Sequence, residues 1–238
     1  NTMFNSSLTI AVPLYNESET IDYMKERLIE AIEKINLPNL NILFVDDGST
    51  DNTFDLLTKK FSDFKNVEII KHNKNKNLNG FLITVINNCD TEFVVFLDSD
   101  CTFDPIYIAD MLNLISPDID IINGSPYHPE GDVEGVKRGR LLVSNGANML
   151  YKLLVDKNIS SFTSIFKMYR TSKIKNILIE TKGFVAVTEL FIKAILNGAN
   201  VIELPCVLRI RKYGDSKINI IKSTKNHLIF MSKLMFYK

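Results

Sequence analysis

The sequence predicts an α/β fold: a mostly parallel central sheet with helices on both faces, in one domain that ends in an amphipathic helix. Three observations carry that prediction. Short apolar runs alternate with stretches of helical period through the first half of the chain. The connections are short, with no internal repeat and no long Gly/Ser/Pro linker. Three polar clusters each follow directly on an apolar run, at residues 13–17, 46–47 and 98–100. In open parallel sheets, ligands bind beyond the carboxyl ends of the strands.

Residues 8–12 form the first strand, which Pro13 should end. A helix is predicted over 19–35, with Ile21, Met24, Leu28, Ile32 and Ile35 on one stripe. Asn16 and Glu19 fit a capping box at its start. Residues 41–45 are the second strand. They run into Asp46-Asp47-Gly48-Ser49-Thr50-Asp51, which opens a helix with Phe54, Leu57 and Phe61 facing inward. A third strand at 67–70 precedes an Asn/Lys-rich loop, 72–80, and a helix to about residue 88.

The fourth strand is the apolar run 93–97, followed by Asp98-Ser99-Asp100. In extended chain, residues two apart point the same way, so both carboxylates should converge. Like charges held close need a cation between them. A hard divalent ion with oxygen ligands fits, and Mg²⁺ commonly brings a substrate phosphate with it. The plainer reading is a polar turn after a buried strand.

The second half is less regular. Residues 118–122 read as a strand, 124–139 as a mobile Gly/Pro-rich loop, 141–155 as a helix and 162–171 as strand or turn. Residues 185–196 form a helix before Gly198, 201–205 an edge strand, and 218–238 a Lys-bearing amphipathic helix. That last helix suits a membrane surface, its own core or a dimer partner equally.

Bulk composition excludes some functions. The 238 residues are 45% hydrophobic and 24% charged, ordinary for a globular protein. Basic and acidic residues balance at 28 each, so there is no electrostatic footprint for nucleic acid. Cys89, Cys101 and Cys206 have no CxxC spacing and read as reduced thiols in a cytoplasmic protein. No apolar run approaches the roughly 18 residues that a spanning helix needs, and no signal-peptide pattern is expected at the start. His72, His128 and His227 lack metal spacing and read as structural.

Residues 12–17 (Val-Pro-Leu-Tyr-Asn-Glu), 45–51 (Val-Asp-Asp-Gly-Ser-Thr-Asp) and 97–100 (Leu-Asp-Ser-Asp) together resemble the family-2 inverting glycosyltransferases of GT-A fold. Further matches lie at Asn123-Gly124-Ser125, Arg140 to Ser144, Phe162-Thr163-Ser164, Tyr169-Arg170, Glu189-Leu190 and Tyr213 to Lys217. They are similar to the subgroup that loads sugars onto dolichyl and other polyprenyl phosphates. The resemblance runs from about residue 8 to about residue 217.

It implies a nucleotide-diphospho sugar donor of the GDP-mannose or UDP-glucose type, Mg²⁺ or Mn²⁺, and a lipid-phosphate acceptor at the inner membrane face. Pro13, Tyr15, Asn16, Glu17, Asp46 and Asp47 would hold the nucleoside. Asp98 and Ser99 would line the diphosphate, with Asp98 and Asp100 on the metal. Arg140 and Lys217 would meet the acceptor phosphate, and Arg211 and Ser216 the donor. Glu189 would be a general base for a hydroxyl acceptor or a contact to the active-site loop; as a bare sequence feature it reads equally as a helix-surface carboxylate. The implied organisation is a transferase domain over 1–217, with a donor half 1–115 and an acceptor half 116–217, then the helix 218–238. A homo-oligomer stays open.

The chain departs from the family pattern at several places. Thr102 stands where Gln often ligates the metal, Pro126 where Arg follows Gly-Ser, Ser161 where Asp is usual and Ile165 where Gly is usual, and the glycines expected near Asn77 to Gly80 are mostly Asn. They leave two alternatives open: transfer to a saccharide hydroxyl, or a nucleotide-sugar-binding protein with weak or lost turnover.

Overall fold

The computed structural model describes residues 6–135, 138–214 and 220–234; for 138–143 and 220 it describes the backbone alone. The chain folds in the order β1 (Leu8–Leu14), α1 (Ile21–Ile35), β2 (Leu40–Asp46), α2 (Thr53–Lys60), β3 (Val67–Lys71), α3 (Asn77–Asn88), β4 (Phe93–Phe96) and α4 (Tyr107–Asn113). There follow β5 (Ile121–Ser125), β6 (Asp132–Val133), α5 (Arg138–Leu154), β7 (Lys167–Arg170), α6 (Val185–Leu196), β8 (Val201–Pro205), β9 (Val207–Leu208) and α7 (Ile220–Leu234).

Seven strands form one sheet in the order β3-β2-β1-β4-β7-β5-β8. All pairings are parallel except those of β7, which runs antiparallel between β4 and β5. Strand alternation divides the core in two. Leu8, Ile10, Val12, Ile42, Phe44, Phe93 and Val95 pack with α1, α2 and α4. Ala11, Leu43, Val45, Val94, Phe96 and Tyr169 face α3, α6 and α7. The expected mostly parallel sheet with helices on both faces is therefore present. A short parallel ribbon, β6 with β9, lies beside it and is tied in by the Phe103–Leu208 bridge.

Several boundaries differ from expectation for physical reasons. Pro13 does not end β1, which continues to Leu14. Ala11 O accepts from Leu97 N, so odd-numbered residues of β1 point their amides toward β4. Pairing with β4 stops at Ala11–Phe96, so the N–H that Pro13 lacks costs no ladder bond. The capping box is not formed: α1 starts at Ile21 behind Thr20, and Asn16 sits at φ 52° in a turn. The 124–139 segment is less loop-like than its composition, since it holds the end of β5, β6 and the start of α5. The helix over 185–196 and the edge strand over 201–205 fall where expected.

The last helix packs on protein along one face. Phe230, Met231 and Leu234 are buried in the core, and His227 Nδ1 is 2.8 Å from the Tyr151 hydroxyl on α5. Burial holds the His227 imidazole down at about 4, so it is neutral at ordinary pH.

Candidate functional site

Because β1, β2 and β4 run parallel, their carboxyl ends share one edge, and all three polar clusters stand there. The first two clusters are laced together. Asn16 N donates to Ser49 Oγ at 2.9 Å, and Asn16 Oδ1 accepts from Thr50 N at 2.8 Å. Glu17 N donates to Thr53 Oγ1 at 2.8 Å. Asp46 is fully buried and serves the turn, its Oδ1 accepting from Ser49 N at 3.0 Å. Asp47 is also buried; its Oδ1 meets His72 Nδ1 at 2.7 Å and accepts from Lys76 N at 2.8 Å. Pro13 and Tyr15 are half-buried on the same rim.

The third cluster is not placed by strand alternation, as expected from the sequence. β4 ends at Phe96, and residues 98–101 form a turn closed by Cys101 N to Asp98 O at 3.1 Å, with Cys101 at φ 50°. Ser99 is buried in that turn. Asp98 lines a cavity, while Asp100 accepts from Thr102 N at 3.1 Å.

Arg211 ties this edge together. It donates to the Glu17 carboxylate, its Nε donates to Tyr213 O at 2.7 Å, and Nε lies 3.7 Å from Asp100 Oδ2. Burial raises the Asp100 carboxyl above the usual range, with Arg211 working against that rise. A half-buried pair of carboxylates balanced by one guanidinium is a place that demands positive charge. Asp98 and Asp100, both in the 98–101 turn, are hard oxygen donors chemically suited to a divalent cation there. Among the described residues no group of three or more His, Cys, Asp or Glu is placed to hold a metal. A bound ion would therefore complete its shell with donor phosphate and water.

The remaining expected site residues are dispersed. Glu189, on α6, is buried; it accepts from Glu180 N at 3.0 Å, Thr181 N at 2.8 Å and Thr181 Oγ1 at 2.7 Å, and pairs with Lys193 at 2.7 Å. Burial works to raise its carboxyl, but these donors outweigh it and hold it below the ordinary range. A carboxylate so stabilised is a weak base. Its geometry is that of a clamp on the 180–181 loop. Arg140 lies on α5 with its side chain outside the described residues, and Ser216 and Lys217 lie outside them altogether. The three cysteines are buried and unpaired, and burial lifts Cys206 to about 12, so none is a ready nucleophile.

One feature had no distinct sequence signal. A cavity of about 620 Å³ begins at Asp98 and Thr102 and runs between α5, α6 and α7. Its walls include Phe103, Ile165, Phe184, Val187, Leu228 and Met231, and it reaches the surface where Met149 and Leu150 are exposed. In the sequence these residues read as ordinary amphipathic stripes; only the pairing of α5 with α7 turns them into a chamber. His227, read as structural, lines it.

The mixed α/β sheet that carries this acidic edge has the GT-A fold. The chain belongs to glycosyl transferase family 2, whose model matches residues 9–178. It is 28% identical over 213 residues to a dolichol-phosphate mannosyltransferase of Pyrococcus furiosus, covering 89% of this chain and 59% of that one. It is 27% identical over 217 residues to a polyprenol monophosphomannose synthase of Mycolicibacterium smegmatis, covering 88% and 80%. The chain thus spans about three-fifths of the length of the archaeal relative. Among solved structures it is similar to glucosyl-3-phosphoglycerate synthase of Mycobacterium tuberculosis in complex with Mn²⁺, UDP and phosphoglyceric acid. There the TM-score is 0.71 at 15% identity, covering 96% of this chain and 78% of that one. The same enzyme with Mg²⁺ and UDP gives a TM-score of 0.68 at 15% identity, covering 96% and 78%. At such identities the likeness shows the fold.

Proposed function

We propose that the chain transfers a hexose, with inversion, from a nucleoside-diphospho sugar to a polyprenyl phosphate at the cytoplasmic face of a membrane. The observation that carries this reading is the cavity. It starts at the acidic edge and continues as a largely apolar channel to the surface, which suits an isoprenoid chain whose phosphate meets the donor at Asp98. A saccharide acceptor would instead call for polar walls. The names of the archaeal and mycobacterial relatives support the acceptor class and favour a mannosyl donor.

On the donor side, Pro13, Tyr15, Glu17 and Asp47 hold the nucleoside, and Asp98 lies along the diphosphate. Asp98 and Asp100 hold Mg²⁺ or Mn²⁺, which would neutralise charge on the leaving diphosphate. Arg211 already faces Glu17 and Asp100 and is at hand for donor phosphate. Arg140, Ser216 and Lys217 are assigned to the phosphates of acceptor and donor. The acceptor oxygen is ionised near neutral pH, so it needs cations to hold it in line and no general base. That agrees with a Glu189 committed to the 180–181 loop.

The outer faces of α5 and α7 support a peripheral location. Met149, at the cavity, and Leu153 on α5 and Ile221 on α7 are exposed by 66%, 75% and 84%. Lys152, Lys222 and Lys225 share these helices, a mixture suited to an anionic lipid surface. No described helix is long and apolar enough to cross a membrane.

The test is incubation with GDP-mannose, UDP-glucose and related donors, undecaprenyl or dolichyl phosphate, and Mg²⁺ or Mn²⁺. The expected product is a glycosylated polyprenyl phosphate from one donor. Transfer to a free saccharide but to no lipid phosphate would replace this reading, and metal-dependent nucleotide binding with no transfer would end it.

A further inference from the structure

We propose that His72 is a positioning residue for the nucleoside site: it aims the Asp47 carboxylate and links that aim to α3. The inference rests on the reading that Asp47 meets the nucleoside.

His72 follows β3 and is buried. Three contacts fix it. Its N–H donates to Asp46 O at 2.8 Å, its Nδ1 lies 2.7 Å from Asp47 Oδ1, and its Nε2 lies 2.8 Å from Thr84 Oγ1 on α3. A carboxylate accepts, so Nδ1 is the donor toward Asp47. Nε2 holds the other side of the ring against the Thr84 hydroxyl. The contacts form one chain from Thr84 through His72 to Asp47.

Both bonds to the carboxylate fall on Oδ1, from His72 and from Lys76 N. Oδ2 is the oxygen left to face a ligand. Two donors on one oxygen fix the plane of the carboxylate before any ligand arrives. The surrounding backbone leaves the loop little freedom. A Cβ on Gly48, at φ 76°, would stand 2.7 Å from the Lys74 carbonyl carbon and 2.9 Å from Asn75 N. Lys74 and Asn75 therefore pack closely on Gly48, and the imidazole ties the start of that loop to Thr84, two turns into α3. An apolar core would gain nothing from a histidine here; a carboxylate that must hold one orientation gains a donor that is itself held.

The test measures binding, by calorimetry, of UDP and GDP on one hand and of pyrophosphate with Mg²⁺ on the other. Wild type is compared with Asp47→Ala, His72→Phe and His72→Asn, with melting temperatures as a check on folding. An Asn amide can place its nitrogen where Nδ1 stands. We expect His72→Phe to lose about tenfold in affinity for the preferred nucleoside diphosphate, the lower end of losses for groups that orient a ligand-binding residue. His72→Asn should recover most of that loss, and pyrophosphate affinity should stay within about twofold in both. If Asp47→Ala weakens the nucleotide and His72→Phe does not, the role of His72 is overturned while that of Asp47 stands. If both ligands weaken together in His72→Phe, the residue is only structural and the inference fails. If Asp47→Ala leaves nucleotide affinity unchanged, the nucleoside assignment of Asp47 is what fails.

Discussion

The two halves of the sheet edge treat their polar groups in opposite ways. Around β1, β2 and β3 the polar side chains are spent on one another: Asn16 on the 49–51 turn, Glu17 N on Thr53, Asp47 on His72 and Lys76. Around β5, α5 and α6 more polar groups are left over. Asn123 Oδ1, Asn148 Nδ2, Ser161 Oγ and Thr188 Oγ1 are buried there without a hydrogen-bond partner among the described residues, against Asp46 Oδ2 and Asn79 Oδ1 on the other side. The first region is preorganised for a small charged ligand. The second is a roomy wall that depends on what fills it. Thr102, Pro126, Ser161 and Ile165, four of the departures from the family pattern, line the cavity, while the Asn-for-Gly departures lie at the start of α3.

The sharpest way to break this contrast is at Asp100. Asp100→Ala removes one of two carboxylates proposed to hold a cation and takes one carboxylate from beside Arg211. Metal-dependent affinity for the nucleoside diphosphate should fall by about 100-fold, in line with the several kcal/mol a bound metal contributes. Equal affinity with and without Mg²⁺ in both proteins would remove the metal from the site.

Gly146→Phe probes the other half. A Cβ at Gly146 meets nothing within 4 Å, and the residue lines the cavity. The helix should accept the change, and replacing a helical glycine favours folding by up to about 1 kcal/mol. The ring should occlude the chamber, cutting transfer to long-chain polyprenyl phosphate by about tenfold or more with nucleotide affinity unchanged. Undiminished transfer would show that the lipid chain lies elsewhere.

A smaller effect is expected from Lys167, on β7. It is fully buried, its Nζ donates to Ser164 O, and it lies 4.7 Å over the Phe191 ring. Burial lowers it from 10.5 to about 7, with Glu203 opposing that shift. Between those values the unfolded chain binds the proton and the folded chain does not, so stability rises with pH across that window. The penalty is full below about 7 and gone above about 10.5. Lys167→Met should flatten that rise, worth on the order of a few kcal/mol at most. Urea midpoints from pH 7 to 10 measure it, and a slope that persists in the variant would assign the rise to another group.

Much of the first half of the fold was legible in the sequence. Strands followed at once by polar clusters predicted the sheet and the edge at which those clusters stand together. β1, β2 and β4 were readable as continuous apolar runs because both of their faces are buried, one in each core. Less could be read where tertiary pairing decides. The capping-box residues Asn16 and Glu19 looked local, but Asn16 is claimed by a turn 33 residues away. Asp98 and Asp100 looked extended, but the chain turns as soon as β4 loses its neighbours. The cavity was not legible at all, because it arises between α5, α6 and α7 rather than within any one of them. His72 was read as structural because its purpose lies in Asp47, 25 positions upstream.

The antiparallel strand β7 also sets the order in which the molecule can assemble. β3, β2, β1 and β4 can pair as soon as Phe96 has been made, whereas β5 has no link to that sheet until Lys167–Arg170 slots between them. Throughout that interval of synthesis β4 carries a bare edge, and bare edges recruit other chains. A ribosome-bound chain halted before Lys167 should thus depend on chaperones for solubility, while one extended past Pro205 should have completed the sheet. The strand that joins the two ligand-binding halves is, in time, the latch that makes the newborn chain safe.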